Sequence, residues 1–451
     1  MTTSKSWSSL VNVASIAVHF ASARWRWHHL RTADLEYYQD RQARRIVAYT
    51  AEHSPFYHNH WAGYDLADWR TLPTVDKQTM MDNFSTFTTR GISKESALQV
   101  ALQAERSRNF RPLLNGFTVG LSSGTSGHRG LFIASPQEQA AWAGTILART
   151  LHDFRLRRLH VAFFLRSNNN LYEQVGKGLL RFRYFDLMLP LSEAVERLNA
   201  LQPHILIGPP SLLGFLADER RAGRLRIRPE RLISVAEVLE AQDHERLQNM
   251  FNVPVHQIYQ CTEGFLAASC VRGTLHIQED IVALQFEPIA GDAENRVTPI
   301  VTDLWRRTQP IIRYRLNDIL QLDPAPCSCG SPFRAIRVIE GRSDDVCYFT
   351  SSTGQPRPFF PDTLRRMVLL ASLSIADYQI IQPARDQLTI YLSLIPEASF
   401  ETVKQSLQAS VAATLAQYDC LPATLQVMDG LPLLPTEKKR RRVQKSRNVA
   451  L

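Results

Sequence analysis

Apolar positions recur at helical spacing through residues 1–60. Leu10–Ala23 is largely apolar. Tyr37–Ala51 interleaves charged and apolar residues every three or four positions, and Pro55 breaks the pattern. Asn12 and His19 interrupt the first run, which is too short to span a bilayer. Ala21-Ser22-Ala23 mimics a cleavage site, but the segment reads as an amphipathic helix packed on the body. After short mixed segments over 61–115, Val119–Ala134 reads as strand, glycine-rich turn, strand, with Leu131-Phe132-Ile133 supplying the second strand. A helix is predicted over 136–150 and a buried strand at His160–Leu165. Ile205-Leu206-Ile207-Gly208 is a strand running into Pro209-Pro210, with a helix starting near Ser211 as N-cap. Leu232–Val235 and Val255–Tyr259 are further strands. This alternation predicts an α/β body.

Beyond residue 270 the period shortens. Thr274–Ile277, Ile281–Phe286, Val297–Val301 and Ile311–Tyr314 are closely spaced strands, predicting an antiparallel, barrel-like part. After Gly341-Arg342-Ser343-Asp344-Asp345 the pattern restarts. Tyr378–Gln382 and Leu388–Leu392 read as strands and Phe400–Gln417 as an amphipathic helix, which makes a small α+β domain. The expected organisation is a large α/β domain over 1–343 and a small, mobile C-terminal domain over 344–451. No internal repeat or low-complexity tract interrupts it.

Composition changes this picture little. Over 451 residues, 44% apolar and 21% charged positions are ordinary for a globular protein. The net charge of +9 concentrates at one place: Glu437–Arg447 holds Lys438, Lys439, Arg440, Arg441, Arg442, Lys445 and Arg447 against a single acid. Such a run is a solvated tail, an anion-binding segment or the carrier of a working lysine. No aromatic residues interleave with it, which argues against nucleic acid. The six cysteines, in a chain without an export signal, fit a reduced, cytoplasmic setting. Cys261, Cys347 and Cys420 read as packing residues.

Four segments carry candidate chemistry. Ser122-Ser123-Gly124-Thr125-Ser126-Gly127 lies between two strands, where glycines admit phosphate oxygens to backbone N–H groups and hydroxyls add donors. A polar hairpin turn is its plainer reading, and no lysine follows Gly127 as it would in a P-loop. Tyr259-Gln260-Cys261-Thr262-Glu263-Gly264 follows a strand. Its carboxylate can hold Mg²⁺ against phosphate, or Thr262 can cap a helix with Glu263 in the first turn. Arg313-Tyr314-Arg315-Leu316-Asn317-Asp318 ends in an aspartate able to accept from ribose hydroxyls, or in a plain turn. Gly341–Asp345 has the small polar residues of a hinge. Separately, Cys270, His276, Cys327 and Cys329 make a three-cysteine, one-histidine set suited to tetrahedral Zn²⁺. Unligated thiols and a core histidine are the alternative.

In this order, the four segments resemble the adenylate-forming superfamily of acyl-CoA synthetases and related ligases. The nearest resemblance is to its branch of phenylacetate–CoA ligase and capsule-synthesis-related enzymes. Further local matches are Leu165–Tyr172, Ala236-Glu237, Leu275-His276-Ile277 with Glu279-Asp280, and Cys327-Ser328-Cys329-Gly330. The resemblance implies a role for each segment. The loop 122–127 orients the β- and γ-phosphates of ATP, and Ala236 and Glu237 border adenine. Tyr259 stacks near adenine or the acyl group, Thr262 touches the α-phosphate and Glu263 binds Mg²⁺. Asp318 holds ribose, Arg342 contacts ribose or phosphate, and Asp344 is the hinge. The zinc-binding cluster also has a counterpart in that branch. The family's C-terminal lysine segment matches Pro435-Thr436-Glu437-Lys438-Lys439, which places Lys439 at the catalytic position. Lys438 stands where glycine is usual and is the fallback.

The implied reaction is attack of a carboxylate on the α-phosphorus, with pyrophosphate leaving, then transfer of the acyl group to a thiol. CoA or the phosphopantetheine of an acyl carrier protein is the implied acceptor. An aromatic or other hydrophobic acid is the implied substrate, with Asn168, Asn169 and Tyr172 bordering its pocket. Transfer to an amine, or a relative that binds nucleotide without turnover, are the alternatives. Neither nucleic acid nor stable membrane insertion is expected.

Overall fold

The computed structural model describes residues 3–107, 109, 113–122, 130–151, 157–165, 180–187, 189–289, 295–342, 345–432 and 441–446. They form two compact units. One comprises 1–316 and 321–338, the other 317–320 and 339–451.

The first unit opens with helices α1 (Thr3–His29), α2 (Thr32–His53), α3 (Pro55–His60), α4 (Lys77–Asp82), α5 (Phe84–Phe87) and α6 (Lys94–Ser107). The hairpin β1 (Thr118–Leu121) and β2 (Leu131–Ala134) follows, then α7 (Pro136–Thr150). Ser135 and Glu138 close a full capping box at the start of α7, which fixes that end. Next come β3 (Leu159–Leu165), β4 (Leu180–Asp186), α8 (Leu191–Leu201), β5 (Ile205–Gly208), α9 (Pro210–Arg221), β6 (Arg231–Val235), α10 (Ala241–Phe251) and β7 (Val255–Cys261). Then β8 (Gly264–Ser269), β9 (Leu275–Ile277), β10 (Val282–Pro288), β11 (Arg296–Asp303), β12 (Tyr314–Arg315), β13 (Asp318–Asp323) and β14 (Ala335–Arg342) complete one large sheet, with 318–320 of β13 and 339–342 of β14 counted in the second unit.

That sheet runs β10-β11-β13-β14-β9-β8-β7-β6-β5-β3-β4, with β12 on β11. Strands β4, β3, β5, β6 and β7 are parallel; from β7 to β9 the pairing is antiparallel. The strands expected to form a barrel-like part are thus continuous with the parallel ones. Alternate residues of the parallel strands face two helical layers. Ala162, Phe164, Leu206 and Leu232 pack with Leu198 of α8, Leu213 and Leu216 of α9 and Phe251 of α10. Val161, Phe163, Ile207 and Ile233 pack with Ile16 of α1 and Ala143 and Leu147 of α7. Burial on both faces explains why these strands read as continuous apolar runs.

Helix α1 lies directly on α7. A Cβ at Gly144 would come 2.5 Å from the Ile16 carbonyl oxygen, so only glycine permits this approach. A buried ion triad adds to the contact. Arg26 Nε and Arg149 Nη2 each lie 2.8 Å from Asp280 Oδ2. Burial opposes its charge, but the two guanidinium groups hold the Asp280 carboxyl below the usual carboxylate range.

Two local expectations are corrected. Ser211 is inside α9 rather than at its N-cap. Pro209 takes that place and Pro210 starts the helix, where its fixed φ and missing N–H cost nothing. Ile311–Ile312 is buried but only Tyr314–Arg315 pairs as a strand, because Arg313 adopts a positive φ of 48° and turns the chain.

In the second unit, β15 (Cys347–Thr350) and β16 (Pro356–Phe359) form a hairpin, followed by α11 (Pro361–Leu369). Strands β17 (Ile375–Gln382), β18 (Gln387–Leu394), β19 (Thr424–Asp429) and β20 (Val443–Lys445) form a sheet in the order β19-β18-β17-β20. Met367 and Val368 of α11 and Leu407, Val411 and Leu415 of α12 (Phe400–Gln417) cover its apolar face. Among the described residues, no helix is long and apolar enough to cross a membrane.

Candidate active site and metal cluster

The carboxyl ends of β3, β5, β6 and β7 line up along one edge, since Phe163 pairs with Ile207, Ile207 with Ile233 and Val235 with Ile258. Ligands of open α/β sheets bind outside such an edge. Of the four segments, Tyr259–Gly264 runs out of β7 at this edge, and the local match Ala236-Glu237 follows β6 there. At the end of β6, Ala236 has φ +71°, and Glu237 turns back so that its N–H donates to Val235 O. The Glu237 carboxylate accepts from Ser211 N at 3.3 Å, capping α9 from outside. Tyr259 is buried within β7 opposite Ala267. Thr262 and Glu263 form the two-residue turn between β7 and β8, where Cys261 pairs with Gly264. That hairpin excludes the helix-cap alternative.

Glu263 Oε2 accepts from the Thr262 hydroxyl at 2.8 Å. Beside it stands Tyr314, whose hydroxyl is buried and makes no hydrogen bond of normal geometry. Burial, reinforced by the Glu263 charge, raises the Tyr314 pKa. A carboxylate with accepting capacity to spare, on a two-residue turn at the end of β7, fits a ligand for Mg²⁺.

The phosphate-loop candidate springs from the β1–β2 hairpin. Ser122 and Gly130 lock its base: Ser122 N donates to Gly130 O, and Gly130 N to Ser122 Oγ, both at 2.7 Å. Ser123, Gly124, Thr125, Ser126 and Gly127 lie outside the described residues, as do Asn168, Asn169, Tyr172, Asp344, Lys438 and Lys439. In the second unit Asp318, opening β13, and Arg342, closing β14, meet at 3.7 Å. The residue after the expected hinge, Asp345, pairs with Arg441, which follows the lysine segment; Arg441 Nε to Asp345 Oδ2 is 3.1 Å.

Residues 303–309 were not singled out by sequence, yet they tie the Thr262–Glu263 turn to the β1–β2 hairpin and α7. Asp303 Oδ1 accepts from Trp305 N and Arg306 N at 2.9 and 3.0 Å. Burial pushes the Asp303 carboxyl up to about 6, although these N–H groups and the Arg306 charge favour the anion. Arg306 reaches Thr262 O at 2.5 Å, Gln309 Oε1 at 2.5 Å and Ile133 O at 3.4 Å. The Gln309 amide in turn serves β2, accepting from Ile133 N at 3.0 Å and donating to Leu131 O at 3.1 Å. Arg307 N and Thr308 N donate to Glu138 of the α7 capping box.

The cysteine–histidine set converges. The ligand atoms of Cys270, His276, Cys327 and Cys329 all lie within 4.8 Å of one another. Cys270 and Cys327 sulfurs are 3.9 Å apart, close to the ~3.8 Å that two Zn–S bonds of about 2.3 Å subtend in a tetrahedron. His276 Nδ1 is 2.7 Å from Phe333 O, which leaves Nε2 facing Cys329 Sγ at 3.4 Å. Backbone N–H groups of Arg272, Cys329 and Ser331 point at the three sulfurs. Donor type, spacing and outer hydrogen bonds all fit zinc. Burial opposes ionisation and carries Cys329 up to about 12, whereas hydrogen bonds with Thr274 and Cys329 N–H bring Cys327 below the usual thiol value. Edge-on contacts from the α1 residue Trp27 to His276 and Phe333 pack that helix against the cluster.

No family model and no curated protein matches the sequence. Solved structures do match. One is a 2-hydroxyisobutyryl-CoA ligase in the postadenylation state with a bound acyl-AMP, at TM-score 0.69 and 17% identity over 91% of this chain and 89% of that one. Another is the amide bond synthetase McbA from Marinactinospora thermotolerans, at 0.51 and 12% over 72% and 68%. A third is a benzoate CoA ligase from Burkholderia xenovorans LB400, at 0.50 and 15% over 71% and 67%. The chain therefore has the fold of these ligases.

Proposed function

We propose that this chain, with the fold of the acyl-CoA ligases, activates a carboxylic acid with ATP, forming an acyl-adenylate and releasing pyrophosphate. The observation that carries the reading is the rigid Thr262–Glu263 turn at the carboxyl edge of the parallel strands, tied to the base of the β1–β2 loop. In this reading Ser122–Gly127 takes the β- and γ-phosphates, Ala236, Glu237 and Tyr259 flank adenine, and Thr262 donates to the α-phosphate. Glu263 holds Mg²⁺, which when bound neutralises charge on the phosphate oxygens. Asp318 accepts from the ribose hydroxyls, with Arg342 3.7 Å from its carboxylate. Lys439 places an ammonium group where charge develops on the α-phosphate and the attacking carboxylate. Most of the barrier reduction then comes from positioning and charge stabilisation.

The acyl group next passes to a thiol, of CoA or of a carrier protein's phosphopantetheine, after the second unit turns about Asp344. A hydrophobic or aromatic acid is the favoured substrate. Cys270, His276, Cys327 and Cys329 hold a structural zinc ion away from the reaction. The test is pyrophosphate release from a panel of aromatic, aliphatic and hydroxylated acids, with CoA, a carrier protein or an amine as acceptor. Acid-dependent release suppressed by Glu263→Ala and by Lys439→Ala supports the assignment. Full activity in both variants overturns it.

A further inference from the structure

We infer that Arg306 is a positioning residue for the adenylation step, setting the metal-binding turn in register with the β1–β2 hairpin. The inference rests on the adenylation reading and extends it to a residue outside the four recognised segments. Three acceptors converge on one guanidinium group. Thr262 O belongs to the peptide that joins Thr262 to Glu263, Ile133 O belongs to β2, and Gln309 Oε1 is itself bonded to Ile133 N. Arg306 therefore bridges the β7–β8 turn to the hairpin whose base, Ser122 and Gly130, carries the phosphate loop.

The arrangement is over-determined. Asp303 fixes the backbone of Arg306, and Glu138 fixes the two residues after it. Gln309 is 1% exposed, so its amide cannot swing away. A planar, forked donor suits this bridge, and a lysine ammonium has neither the reach nor the geometry to span both acceptors. Arg306 uses Nη1 on Thr262 and Nη2 on the β2 side, so both ends of the fork are committed inside the protein. The guanidinium thus acts through the Thr262–Glu263 peptide rather than on the substrate. Loss of the fork removes the tie between the Thr262–Glu263 turn and β2, and the metal must then be captured by a carboxylate whose turn is no longer held.

The experiment is ATP–pyrophosphate exchange against Mg²⁺ concentration for the full chain, Arg306→Lys and Gln309→Leu, with thermal melting alongside. For Arg306→Lys, the Mg²⁺ needed for half-maximal exchange rises about tenfold, kcat falls about 100-fold and the KM for the acid is unchanged, effects of the size seen when a metal's outer partners are lost. Gln309→Leu, which touches neither loop's functional residues, shifts the Mg²⁺ dependence in the same direction. An unchanged Mg²⁺ dependence in both variants, with only a lower melting temperature, overturns the inference. Acid-dependent exchange absent from the native chain overturns the adenylation reading, and this inference with it.

Discussion

Asp303 shows how a residue with no place in any motif shapes the site. Its carboxyl group holds the turn that aims Arg306, at a pKa raised to about 6 by burial. A raised carboxyl pKa means the folded state binds more protons than the unfolded chain between roughly pH 4 and 6. Its contribution to stability is therefore full below the unfolded value and lost as pH rises through 6. Asp303→Asn keeps the acceptor and removes the charge. Its melting temperature relative to the native chain should rise between pH 4.5 and pH 7.5; a pH-independent difference would place the titration elsewhere. Glu263 was legible because a carboxylate leaving a strand is a recognisable pattern. Arg306 was not: two of its three acceptors lie 44 and 173 residues away in sequence, and an arginine in a polar turn usually means exposed surface. Tyr314 sat inside a recognised segment, but nothing in its spacing showed that its hydroxyl would be buried beside Glu263.

Elements were easier to read than residues. The helix over 136–150 and the strand expected at 160–165, observed at 159–165, follow from the apolar pattern, because burial on a sheet imposes one repeat per element. Their partners were not legible. That α1 would lie on α7 depends on the missing side chain of Gly144, so Gly144→Ala should cost about 1–3 kcal/mol in urea denaturation despite alanine's better helix propensity. An unchanged midpoint would mean α1 contributes little to this unit. The cysteine–histidine cluster joins the β8–β9 turn to the loop before β14, and its composition announced it. Its geometry predicts one zinc per chain by elemental analysis of purified protein. Cys327→Ser should lower both the zinc content and the melting temperature, and full stability without metal would reduce the cluster to packing.

At the scale of the whole molecule, a restart of the strand and helix pattern after Gly341 was visible, whereas the second unit takes up the chain at Ile339, inside β14. The membership of Asn317–Leu320 in the second unit was not, since it is separated from the rest of that unit by residues 321–338. Asp318 and Arg342 thus belong together in a unit whose two pieces sequence order keeps apart. The first unit holds a carboxylate turn and the carboxyl ends of parallel strands in one sheet and a closed loop base on the β1–β2 hairpin, and the central claim is that these serve one adenylation reaction. Acid-dependent ATP–pyrophosphate exchange tests it most directly, comparing the native chain with Glu263→Ala across a panel of carboxylic acids. The account predicts exchange with at least one acid and a loss of about 100-fold or more in the variant. Exchange at the native rate in Glu263→Ala, or none with any acid in the native chain, would contradict it.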